Sequence, residues 1–345
     1  MVTVIMVVLF GSVFTSCSND DDLLLAGDSQ TELVSSLAQD SVKAVTRGIT
    51  SVSYNVYPST GSYVPNSTIN LPSSCGSGDF YGGVVTAYVL SFSNNVVGVK
   101  IEKQTPFSYF TQNGTAYLKY AHPCGQILSS LNYSSGSSSV TVYYNVSNVG
   151  LNYGYYHIYP MVKNSLSPYN RYYAEPILVY TTNLVNTSNY QTSGAILGTA
   201  NGVEVKSNGS GNMGSGPYQC VEFCKRYLED VYGRTTTHYQ HAKYWYSDYT
   251  NFPSWEFARY SNGGSEAPRP GDILCFSNSG NGHVAIVMDV VGYVVRIAQQ
   301  NSGIPTNSSN QWQTPIGGEL QYNPSTHTIT PPTNFSIQGW MRYTP

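Results

Sequence analysis

Beyond residue 50 only one stretch of this chain is spaced like a helix; nearly everything around it alternates or is broken by turn residues. That stretch covers residues 215–233. Ser215 or Gly216 can cap it, Pro217 suits its first turn, and Gly233 suits the position past its end. Val221, Cys224, Leu228 and Val231 then share one face, as a helix packing on a core requires. Ahead of it, residues 84–90, 140–144 and 177–180 alternate and are bounded by Gly, Ser, Asn or Pro, so they read as short strands. Several such strands predict an all-β, immunoglobulin-like sandwich. Behind the helix come Pro and Gly punctuation and a run of strands, an order that reads as α+β.

A length of 345 residues suits two domains. The sandwich is expected over 51–183 and the α+β domain over 194–345, separated by a stretch rich in Ser, Asn, Gly and Thr. Residues 18–50 read as a polar tether, within which 31–45 is weakly amphipathic and suits a short helix or a spacer. With 16 basic and 19 acidic residues the chain has no field to attract nucleic acid or an anionic membrane surface. The 31 tyrosines either fill half-wet strand faces or let the N-terminal domain line a groove for glycan or peptide.

Residues 1–14 form an apolar run too short to span a bilayer, followed by Thr15, Ser16 and Cys17. This resembles a bacterial lipoprotein signal, 1–17, in which Cys17 becomes the lipidated N-terminus and the only membrane attachment. The run lacks the usual leading Lys or Arg, and a plain secreted segment is the alternative. Asp20, Asp21 and Asp22 resemble the acidic signal that sends some lipoproteins to the surface. The expected location is therefore the outer membrane or cell surface of a Gram-negative bacterium. Export implies an oxidising compartment. Five cysteines remain after Cys17, so at least one thiol stays free. Cys75 and Cys124, both in the β-rich half, are the natural disulfide pair; as a metal pair they lack neighbouring ligands.

Cys220 falls in the opening turn of the expected helix, where unpaired N–H groups and the positive end of the dipole favour a thiolate, the species that attacks carbonyls. The plain alternative is a small buried apolar residue. His283 begins a strand after a glycine-rich loop, and a turn near Gly292 folds the following strand back. If the hairpin is centred on Gly292, residues whose numbers sum to 584 lie opposite. His283 then faces Asn301, with Gln299 a diagonal neighbour on the same face. An amide could thus orient an imidazole that serves as base.

The segments Tyr218-Gln219-Cys220-Val221-Glu222-Phe223, Pro270-Gly271-Asp272, Gly282-His283-Val284-Ala285, Arg296-Ile297-Ala298-Gln299-Gln300-Asn301 and Gly339-Trp340-Met341 together resemble the CHAP domain, the cysteine, histidine-dependent amidohydrolases/peptidases. Within it they are most similar to the amidase domain of glutathionylspermidine synthetase/amidase. The resemblance implies a papain-like, CHAP/NlpC-type fold over about 150 residues. It makes Cys220 the nucleophile and His283 the base, with the Cys220 N–H and Gln219 as oxyanion donors. Where the family commonly has Glu, this chain has Gln299; Asn301 is the alternative orienter. No metal or organic cofactor is implied. The expected substrate is a peptidoglycan amide, cut through a thioester. The other readings are an amidase on a small peptide-polyamine amide, and an inactive surface adhesin or glycan-binding protein.

Cys224 reads as core or as a disulfide partner of Cys275. His238 and His241 could hold a metal only with a third ligand and otherwise line a cleft or the surface. Trp255 and Trp312 suit either that cleft or packing.

Overall fold

The computed structural model describes residues 54–57, 68–69, 80–81, 85–103, 113–149, 154–164, 171–181, 191–209, 216–237, 241–302 and 316–344. The expected signal segment, Cys17, the tether, Cys75, His238 and Trp312 lie outside them.

The chain is mostly β. Its first strands are β1 (Tyr54–Tyr57), β2 (Thr68–Ile69), β3 (Phe80–Tyr81), β4 (Val85–Ser93), β5 (Val96–Lys103), β6 (Gly114–Tyr120), β7 (Ile127–Tyr133), β8 (Ser139–Asn145), β9 (Gly154–Asn164), β10 (Arg171–Tyr173), β11 (Ile177–Thr181), β12 (Ile196–Ala200) and β13 (Val203–Lys206). β4, β5 and β8 form a three-stranded sheet, and the other ten form a second one. Alternation makes this work: Val97, Val99 and Ile101 of β5 and Val140 and Val142 of β8 are buried together with Leu118, Tyr156 and Ile158 of the larger sheet. Two sheets therefore enclose one core. Cys124, in the turn before β7, is disulfide-bonded.

The second half opens with the helix α1 (Cys220–Tyr232) and continues with β14 (Phe257–Ser261), β15 (Ile273–Ser277), β16 (His283–Val291), β17 (Val294–Ala298), β18 (Gly317–Asn323), β19 (Thr328–Ile329) and β20 (Ser336–Tyr343). These strands make one sheet in the order β14-β20-β15-β16-β17-β18-β19. Both of its faces are buried. Ile273, Cys275, Val284, Ile286 and Met288 face α1, while Leu274, Phe276, Ala285, Val287 and Ile297 pack with Leu320 and Trp340 on the other side.

Two details of the helix differ from the sequence reading. It begins at Cys220 with Gln219 as its N-cap, not at Ser215 or Gly216, and Pro217 precedes it. Its buried stripe is Cys220, Phe223, Cys224, Tyr227 and Leu228, spaced i, i+3, i+4, i+7, i+8, so Cys220 itself belongs to the stripe. Gly233 closes the helix in the left-handed conformation at φ 67°, as expected.

The halves are joined closely. The β12–β13 hairpin pairs through β12 with β9, and its Leu197, Ala200, Val203 and Val205 share the core of α1. A buried polar chain crosses the same junction. His157 on β9 contacts the Met288 carbonyl through Nε2 at 2.5 Å and Asn201 Nδ2 through Nδ1 at 2.9 Å. Asn201 in turn donates to the Tyr227 hydroxyl on α1 at 2.7 Å. The carbonyl acceptor places the ring proton on Nε2.

A candidate cysteine–histidine site

At the start of α1 the Gln219 carbonyl accepts the N–H groups of Glu222 and Phe223. Cys220 is 8% exposed. Burial dominates its titration and pushes the thiol up to about 11, against the pull of backbone N–H groups from Val284, Val221 and Cys220 that point at the sulfur. This corrects the sequence expectation of a thiolate. The helix end does supply donors, but the α1 stripe that gives the helix its core also takes Cys220 out of water.

The Val284 N–H reaches the sulfur because of where β17 stops. β16 pairs with β17 only as far as Ile286 opposite Ala298. Beyond that pair β16 has no strand beside it on that edge, and Cys220 approaches the gap. His283 is the residue next to Val284. Its ring lies near Phe276 and Phe335, with centroids 5.7 and 6.4 Å apart, and it is 5% exposed. Burial lowers its pKa to about 4, opposed by its bond to Gln299. Gly282 before it has φ 73°, and a Cβ there would sit 2.5 Å from the Lys243 nitrogen and 2.6 Å from the Phe276 carbonyl, so only glycine lets the loop enter β16 here.

Gln299, not Asn301, meets the imidazole: His283 Nε2 lies 3.0 Å from Gln299 Oε1. The acceptor places the proton on Nε2 and leaves the Nδ1 lone pair as the basic position. The hairpin register explains the choice. Its turn is Gly292–Tyr293, with Val291 opposite Val294, so pairs near it sum to 585. A bulge between Val287 and Asp289 restores 584 from Val287 onward. Continuing that register makes Gln299 the diagonal neighbour of His283. Asn301 turns away in the left-handed region at φ 57° and donates to Gln219 Oε1 at 2.6 Å. Gln219 Nε2 donates to the Gly216 carbonyl at 2.7 Å, which directs that amide at its own loop.

Gln300 and Glu222 stand in the CHAP-like segments with no role apparent from sequence, and both lie at the centre of the site's support. Gln300 accepts from the Lys206 N–H at 2.7 Å and from Arg226 at 3.3 Å, and it donates to the Gln219 carbonyl at 3.1 Å and to Glu222 at 2.8 Å. Arg226 also pairs with Glu222 and donates to the Glu204 carbonyl. Three adjacent amides directly after a strand were the available signal.

Other candidates fall elsewhere. Cys224 and Cys275 are both free and buried in the core of α1, so no disulfide joins them. Among the described residues no group of His, Cys, Asp and Glu could hold a metal; His241 is exposed. Trp255 is 76% exposed. Asp272 of the Pro-Gly-Asp turn is structural. It is paired with Arg342 of β20 at 2.8 and 2.9 Å and accepts the Arg269 N–H at 2.8 Å.

A family model for the CHAP domain matches residues 210–301, which include Cys220, His283 and Gln299. CHAP domains are usually hydrolases of the amidase or peptidase class, often acting on peptidoglycan, and the match suggests that class for the C-terminal part. No curated protein matches this chain.

Proposed function

We propose that the chain is an exported cysteine amidase or endopeptidase that cleaves amide bonds of peptidoglycan, with Cys220 as nucleophile, His283 as base and Gln299 as the orienter of the imidazole. One observation carries this reading. The Cys220 sulfur takes the N–H of the residue that follows His283, and Gln299 accepts from Nε2 of that histidine, which makes Nδ1 its basic nitrogen.

Both groups rest neutral, so ionisation accompanies attack. As the sulfur bonds to the carbonyl carbon, its proton passes to His283 Nδ1 and the carbonyl π electrons move to oxygen. The N–H groups at the mouth of α1 stabilise that oxygen. Collapse expels the amine, which takes the proton from Nδ1, and leaves a thioester. Water, deprotonated by the same nitrogen, then releases the acid and restores the thiol.

The experiment is digestion of purified peptidoglycan by wild type and Cys220→Ala, with mass spectra of the fragments. Soluble fragments carrying one newly freed amine, absent with the variant, support the reading. Equal release by both proteins overturns it. A second reading, a wall-binding module without turnover, is favoured by the burial of Cys220 and by the neutral amide at 299. It predicts that wild type sediments with the wall and releases nothing.

A further inference from the structure

We propose that Gln300 is a positioning residue that sets the spacing between nucleophile and base; the inference rests on the assignment of Cys220 and His283 above. Gln300 is fully buried, and both donors and both lone pairs of its amide are used. One of those bonds ends on the carbonyl of Gln219, the N-cap residue immediately before Cys220. Another ends on Glu222, in the first turn of α1. The residue before Gln300 holds His283, and the residue after it holds the Gln219 side chain.

Three consecutive side chains thus fasten the base, the first turn of the nucleophile helix and its cap to one short run of backbone. That run follows directly on Ala298, the last residue of β17 to pair with β16. Without Gln300, α1 would still be held at its far end by Tyr227 and the core. Its start would keep only the Asn301–Gln219 bond at the cap as a side-chain tie to the chain that orients the imidazole. A shift of about 1 Å in such a pair costs ~100-fold in rate.

The test uses full-length protein and iodoacetamide, whose reaction with Cys220 needs no knowledge of the substrate. Mass spectrometry follows carbamidomethylation of Cys220 at pH 7 in wild type, His283→Ala, Gln300→Met and the exchange Gln300→Glu/Glu222→Gln. In the exchange, Arg226 keeps a carboxylate beside it and an amide–carboxylate bond to the first turn can form with reversed polarity, while the bond to the Gln219 carbonyl is lost because a carboxylate has no donor. The proposal expects Gln300→Met to fall ~100-fold, to the rate of His283→Ala, and the exchange to recover the part of that loss carried by the tie to the first turn. A merely structural role moves the rate the other way, because loosening uncovers a buried thiol.

An unchanged or faster reaction in folded Gln300→Met overturns the proposal. So does loss of the folded state in both Gln300 variants. The peptidoglycan digestion separates this from the function: if wild type releases no fragments while the alkylation pattern holds, the substrate reading fails and the positioning role stands.

Discussion

Gln299 holds His283 through one neutral hydrogen bond of 3.0 Å, and its own amide nitrogen is buried with no hydrogen-bond partner among the described residues. A buried unsatisfied donor costs ~1–3 kcal/mol. The position therefore orients the ring without supplying charge to the imidazolium that forms during attack.

Gln299→Glu tests that account. A carboxylate beside the ring raises an imidazole pKa by ~1–3, so the acid limb of wall digestion should move up from near pH 4 and Cys220 alkylation at pH 7 should rise at least ~10-fold. Gln299→Ala should lose ~100-fold or more. A pH–rate profile for each variant checks both, and an unmoved acid limb in Gln299→Glu would show that the side chain does not touch the working imidazole.

The resting state is open to a direct measurement. With the thiol pushed up to about 11 and the imidazole down to about 4, both are neutral between those values. Alkylation of Cys220 in His283→Ala should therefore climb with pH toward about 11. A plateau already reached by pH 5 in that variant would mean a thiolate held by the backbone N–H groups alone, without the imidazole.

Acid should weaken the fold through the buried His157 and the half-buried His122. Burial lowers His157 to about 4 and His122 to about 3. Above pH 6.5 neither state carries the proton; below it the unfolded chain takes one that the folded chain refuses until near pH 4 or 3. Stability is thus full at neutral pH and falls with acidification, by ~2 kcal/mol for the buried His157 at pH 5 and by less for the half-buried His122. Urea midpoints at pH 7 and 5 should show the loss, and His157→Gln should flatten the slope.

Asp272→Ala should act on the fold and spare the chemistry. The side chain is 1% exposed and is paired with Arg342 on β20, so removing it leaves the guanidinium only Glu266 at 4.0 Å and the Ala267 carbonyl as polar partners, at a cost of ~3 kcal/mol. Thermal unfolding should register that loss, while Cys220 alkylation well below the transition stays at the wild-type rate.

Particular residues show how much was legible. The strands at 85–93, 139–145 and 177–181 and the helix ending at Gly233 follow from local periods and a left-handed cap, signals written within a few residues. The diagonal of His283 and Gln299 was also reachable, although the arithmetic worked because the bulge at Met288 offset a turn of two residues. What could not be read was non-local. Nothing near Cys220 announces that its stripe will be covered by β16 and by the β12–β13 hairpin, and that cover reverses the expected titration. The links from Gln300 to Lys206 and Gln219 span 94 and 81 positions of sequence, beyond any periodic signal.

The crossing made by His157, Asn201 and the hairpin at Ile196–Ala200 decides how small a working piece of this protein can be. The family match starts at residue 210, yet Leu178, Leu197, Ala200, Val203 and Val205 lie against α1. A gene fragment trimmed to the match would expose that flank of the helix to water and strip the Met288 carbonyl of its imidazole. The smallest transplantable piece begins no later than Gly154, well upstream of residue 210.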